Sequence, residues 1–118
     1  MSARQKPFEA AVRHESGVAI IDLYGDIDSF AEQNLNASYA EAQSFGPSKI
    51  VLNFGGVIYI NSTGIALIVG LLAEARKSHI DLVTYGLSDH YAEIFRITRL
   101  ADFMTIVSDE SSAMKEPL

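Results

Sequence analysis

The hydrophobic pattern changes period several times along the chain, and each change predicts an element boundary. Residues 8–14 and 18–24 read as two strands separated by the short turn Glu15-Ser16-Gly17, with Gly17 where a positive φ is needed. The pair is expected to form an antiparallel hairpin. The second run, Val18-Ala19-Ile20-Ile21-Asp22-Leu23, is apolar on both sides until Asp22, as an interior strand would be. Gly25-Asp26-Ile27-Asp28 is expected to break that strand. A helix should follow, because Ser29 and Glu32 have capping-box spacing and Ala31, Leu35, Tyr39, Ala42 and Phe45 fall on one helical face. Gly46-Pro47 closes it. The next strand, 49–54, is reached by a strand–helix–strand crossover, which places it parallel in the same sheet with right-handed topology.

The middle of the chain is organised around Asn61-Ser62-Thr63-Gly64. Gly55-Gly56 reads as a tight loop, a turn rather than a phosphate cradle, and leads into the apolar run Val57-Ile58-Tyr59-Ile60. After the hydroxyl-rich knot a helix is expected to begin near Ile65, with Ile65, Ile68, Val69, Leu72 and Ala73 on its core face. Its other side, Ala66, Leu67, Gly70 and Leu71, is also uncharged, which predicts partial exposure of the first two turns as a contact surface. Residues 80–85 read as a fourth strand ending at Gly86. Ser88 or Asp89 then caps a third helix with Tyr91, Ile94, Phe95 and Thr98 inward. Leu100 and Phe103 bridge to a short last strand, 104–107. Ser108-Asp109-Glu110 starts a terminal helical turn whose acids suit its positive end. Residues 1–7 read as a polar lead-in and 115–118 as a loose tail. The expected architecture is a single α/β domain over residues 1–118. Its mixed, mainly parallel sheet has about five strands, an antiparallel hairpin at the N-terminus and helices packed against it.

Composition narrows the function classes. A 118-residue chain with 48% apolar and 20% charged residues has the make-up of one ordinary folded domain. A net charge of −6 and pI near 4.9 argue against nucleic acid, which asks for a basic footprint. With no cysteine there is no disulfide, thiolate metal site or cysteine nucleophile. His14, His79 and His90 lack ligand spacing, so no metal and no cofactor are expected. No signal-like segment opens the sequence and no apolar run spans a membrane, so the expectation is a cytoplasmic protein. Catalysis is not expected either. Ser62 and Thr63 have no neighbouring base and no nucleophile-elbow pattern, carboxylates are not clustered, and no phosphate-binding glycine loop occurs. A phosphoacceptor aspartate is also missing, because the central strand ends Asn53-Phe54-Gly55.

The remaining candidate is Ser62, with Thr63 as the alternative hydroxyl. Any of Asn61, Ser62 and Thr63 could serve simply as the N-cap of the helix. A phosphate there would add about −1.5 to −2 charges at a helix N-terminus, which accommodates an anion. A partner packed over the same turn could not bury that charge cheaply.

These residues carry a family resemblance. Strand 49–54 and the stretch Val57-Ile58-Tyr59-Ile60-Asn61-Ser62-Thr63-Gly64-Ile65 resemble the signature of STAS domains, the anti-sigma factor antagonists. Gly25-Asp26-Ile27-Asp28 is similar to the family's glycine–acid–aliphatic–aspartate loop, and Leu100-Ala101-Asp102-Phe103 with Met104-Thr105-Ile106-Val107 to its last strand. The resemblance implies a switch: the unphosphorylated form binds a serine-kinase anti-sigma factor and frees a sigma factor. Phosphorylation at Ser62 breaks that complex, and a metal-dependent serine phosphatase resets it. The implied partner surface comprises Asp26, Asp28, Asn61, Ser62, Thr63, Gly64, Leu67 and Leu71. Asn61 stands where the family has aspartate, keeping the capping ability and losing the charge. Two other readings remain open: a non-switching STAS scaffold or homo-oligomerising domain, and a binder of nucleotides or small ligands in the strand-end loops, which no sequence feature demands.

Overall fold

The structure is a computed structural model that describes residues 6–116. Five strands form one sheet in sequence order: β1 (Glu9–Glu15), β2 (Val18–Ile27), β3 (Lys49–Ile60), β4 (Asp81–Tyr85) and β5 (Thr105–Ile106). β1 and β2 pair antiparallel and every later pair is parallel, as the hydrophobic pattern predicts. The hairpin turn places both Ser16 (φ 52°) and Gly17 (φ 77°) in the left-handed region, the geometry that matches strand twist in a two-residue loop. The helices are α1 (Glu32–Ser44), α2 (Ser62–Lys77), α3 (Asp89–Ile97) and the short α4 (Glu110–Lys115).

The two sheet faces are covered unequally. Ala19, Ile21, Leu23, Ile50, Leu52, Phe54 and Leu82 pack under α1 and α2 with Phe95 of α3, forming the main core. On the opposite face Val18, Ile20, Val51 and Val83 form a smaller cluster with Ala113 of α4. Strands buried on both faces read as continuous apolar runs, which explains the 18–23 pattern.

Several expectations are corrected. Gly55-Gly56 is not a loop, because β3 continues through it to Ile60. Nor does Gly25-Asp26-Ile27-Asp28 break β2, which runs on to Ile27. The two strands extend together beyond β4 as a ribbon. Its register shifts twice, so that β3 holds two more residues than β2 between the pairs Asp22 with Asn53 and Ile27 with Ile60. The capping box at Ser29 does not form. Asp28 instead accepts the Phe30 N–H (3.0 Å) and caps a 3-10 turn, Ser29–Ala31, after which α1 begins without a side-chain cap. Leu35, Tyr39 and Ala42 are buried as expected, but Phe45 is exposed and stacks on His14. Thr98 is exposed too, its hydroxyl turned back to the Ile94 carbonyl at the end of α3. Lys115 closes α4 rather than opening a tail, and the readings on residues 1–5 and 117–118 lie outside the described residues.

Candidate functional site at the mouth of helix α2

The site is seated on one backbone carbonyl. Ile27, the last residue of β2, pairs with Ile60 at the end of β3, and its carbonyl accepts the Asn61 N–H at 3.2 Å. The first turn of α2 then folds back over that carbonyl. A Cβ at Gly64 would lie 2.1 Å from the Ile27 oxygen, so only glycine lets the helix mouth approach β2 this closely. α2 therefore begins at Ser62, three residues before the expected start near Ile65.

Asn61 resolves the capping alternatives. Its extended backbone (φ −94°, ψ −177°) and its Oδ1, accepting the Gly64 N–H at 2.9 Å, make it the N-cap. Ser62 and Thr63 occupy the first helical turn and are exposed. Neither hydroxyl is needed for the cap, which separates the serine from the structural role it was weighed against.

The other expected partner-surface residues divide. Asp26 is 2% exposed, and a hydrogen bond from the Lys6 N–H reaches its carboxylate while its own N–H donates to the Lys6 carbonyl. Asp28 is buried at the cap of the 3-10 turn, and Gly64 is buried against Ile27. Leu67 is half-buried, whereas Leu71, at 2% exposure, belongs to the core. The expected faces of α2 are thus rotated: Ile68, Leu71, Leu72 and Ala75 point inward, and Val69 and Ala73 outward. With apolar residues on every side, the sequence could not say which stripe the sheet would take.

The exposed residues bordering the site went unmarked in the sequence. Tyr24, Phe30, Ile58 and Tyr59 all show large accessible apolar surface at this end of the sheet. The available signal was the unbroken run 57–60, which is too apolar on consecutive positions for a strand with one wet face.

Among the described residues no group of three or more His, Asp or Glu side chains is placed to hold a metal ion, and no helix is long and apolar enough to cross a membrane.

Residues 9–113 match the family profile described as the STAS domain. The chain belongs to the STAS domain family. STAS relatives include the anti-sigma-B factor antagonist of Staphylococcus aureus, 30% identical over 86 residues that cover 73% of this chain and 80% of that protein. That of Listeria monocytogenes is 29% identical over 92 residues, covering 76% and 81%. Among solved structures, the anti-sigma factor antagonist SpoIIAA in its unphosphorylated form superposes with a TM-score of 0.69 at 17% identity, covering 88% of this chain and 92% of that one. The phosphorylated form of Bacillus SpoIIAA gives 0.67 at 20% identity, covering 88% and 96%. An anti-sigma factor antagonist from Mycobacterium paratuberculosis gives 0.73 at 16%, covering 91% of each chain. At these identities the structural likeness is one of STAS fold.

Proposed function

We propose that this STAS protein is an anti-sigma factor antagonist switched by phosphorylation of Ser62. The unphosphorylated form binds a serine-kinase anti-sigma factor and so releases a sigma factor. ATP-dependent phosphorylation of Ser62 dissociates the complex, and a serine phosphatase restores it. The observation that carries this reading is the division of labour at the α2 mouth. Asn61 caps the helix while Ser62 stands exposed on its first turn, free of the capping duty. A phosphate there faces the helix dipole and leaves the fold intact, yet it puts a charge where a partner must desolvate the surface. The names of the relatives, and the existence of SpoIIAA in both phosphorylation states, support the same role.

Incubation with the cognate kinase and ATP is expected to add one phosphate to the wild type and none to Ser62→Ala. Equal phosphorylation of Ser62→Ala would move the acceptor to Thr63, which shares the exposed turn. The non-switching scaffold reading rests on Asn61 and on the uncharged Leu67, Gly70 and Leu71, of which Leu71 is buried, Leu67 half-buried and Gly70 exposed; it predicts a large assembly in light scattering that ignores Ser62→Asp.

A further inference from the structure

At the end of β3 the backbone departs from regular pairing. Gly25 pairs with Val57 and Asp26 with Tyr59, so Ile58 is an extra residue with no counterpart on β2. A bulge of this kind re-aims a side chain, and such irregularities concentrate beside functional sites. Here it leaves Ile58 59% exposed and Tyr59 52% exposed. Ser62 is four residue steps beyond Ile58, so at most about 15 Å of chain lies between them. A stable interface covers about 800 Å² on each partner, a disc of about 16 Å radius. An interface of that size centred on Ser62 therefore reaches far enough to include Ile58 and Tyr59.

The stretch that carries these residues is uncharged. Residues 54–73 contain no Asp, Glu, Lys, Arg or His, and Asp26, which pairs with Tyr59, is buried. Charge depletion and exposed aromatic residues mark the centre of a protein interface rather than its rim. We propose that Ile58 and Tyr59, presented by the bulged end of β3, form the apolar half of the surface that docks the serine-kinase anti-sigma factor, against an apolar patch on that partner. The inference rests on the functional reading above. It also gives the switch its leverage, since a phosphate on Ser62 would be the one charge in an otherwise uncharged stretch that the partner must bury.

The test measures affinity of the full chain for its cognate serine kinase by calorimetry, together with the kinetics of Ser62 phosphorylation. Ile58→Ala and Tyr59→Ala are each expected to weaken binding by about tenfold or more. They should raise KM for phosphorylation with kcat retained at saturation, and circular dichroism should match wild type. Phe45→Ala, an exposed aromatic at the far end of α1, should bind as wild type does. If wild type binds and is phosphorylated while both variants bind within about twofold of it, the strand-end surface is overturned and the Ser62 switch stands. If wild type neither binds nor is phosphorylated, the functional reading itself fails. A wild-type dimer that Ile58→Ala converts to monomer would assign the surface to a second copy of this chain and overturn the kinase assignment.

Discussion

Gly64 meets the tightest steric constraint at the site, because any side chain there collides with the Ile27 carbonyl, a backbone atom that cannot swing away. Gly64→Ala is therefore expected to destabilise the fold by about 1–3 kcal/mol, or to push α2 off the sheet, as read by thermal or denaturant unfolding. Asn61→Ala removes the N-cap and should cost about 1 kcal/mol in the same assay. Asn61→Asp should change stability little, since both side chains cap equally well, while placing a charge beside Ser62. Comparing these two variants in the proposed phosphorylation of Ser62 separates what the cap does for the fold from what a charge beside the serine does. Tyr39 presents a different case. Its hydroxyl is buried with no hydrogen-bond partner among the described residues, and burial, aided by the charge of Glu74, pushes its pKa up. Tyr39→Phe should leave stability unchanged or raise it by up to about 1 kcal/mol.

At the scale of elements, the second sheet face depends on a six-residue helix too short to hold itself. Asp109 caps α4 at one end through the Ser112 N–H. At the other end Lys49, only 1% exposed, donates from Nζ to the carbonyls of Ala113 (2.8 Å), Met114 (3.3 Å) and Glu116 (2.7 Å). An ammonium at a helix C-terminus satisfies carbonyls that lack intrahelical partners and opposes the negative end of the dipole. Lys49→Met is expected to cost about 1–3 kcal/mol and to accelerate amide hydrogen exchange in α4 well before the rest of the sheet. No residue near Lys49 in the sequence marks it as more than the first residue of a strand. Its role depends on a helix 64 positions away, which no local pattern reveals.

For the molecule as a whole, one arginine ties the sheet to the last helix. Arg13 on β1 donates to Asp22 on β2 (2.7 and 2.9 Å) and to Glu110 on α4 (2.8 and 3.3 Å), while Asn53 donates to Asp22 and the Tyr85 hydroxyl to Glu110. Arg13 holds the Asp22 carboxyl below its usual range despite burial, with help from Asn53, and Glu110 is lowered by Arg13 and then Tyr85. For depressed carboxyls the associated stability is present above the unfolded values, about 4, and is lost as pH falls through the folded ones. Wild type should therefore keep its stability advantage over Arg13→Gln above about pH 5 and lose it progressively as pH falls below about 4, as followed by urea midpoints. At the alkaline end the sign reverses. Burial, then Glu110, pushes the Tyr85 hydroxyl up to about 12, so stability held below the unfolded value of about 10 is lost as pH rises toward 12. Tyr85→Phe should flatten that alkaline loss.

Period and punctuation were enough to determine the order of strands and helices, the antiparallel hairpin, the parallel crossovers and the position of the hydroxyl-rich turn. These are local properties, set by alternation, by helical spacing and by residues such as Gly17 and Ser88, which caps α3 through the Tyr91 N–H. The family motif likewise lies in contiguous residues. Tertiary structure decided what the local pattern left degenerate. It chose Leu71 over Val69 for the inward face of an all-apolar helix, carried β3 through two glycines because β2 paired on beside it, and turned Asp26 inward. It also gave the cap to Asn61 and left Ser62 in the open, because the start of α2 is set by where the Ile27 carbonyl and Gly64 allow the helix to touch the sheet.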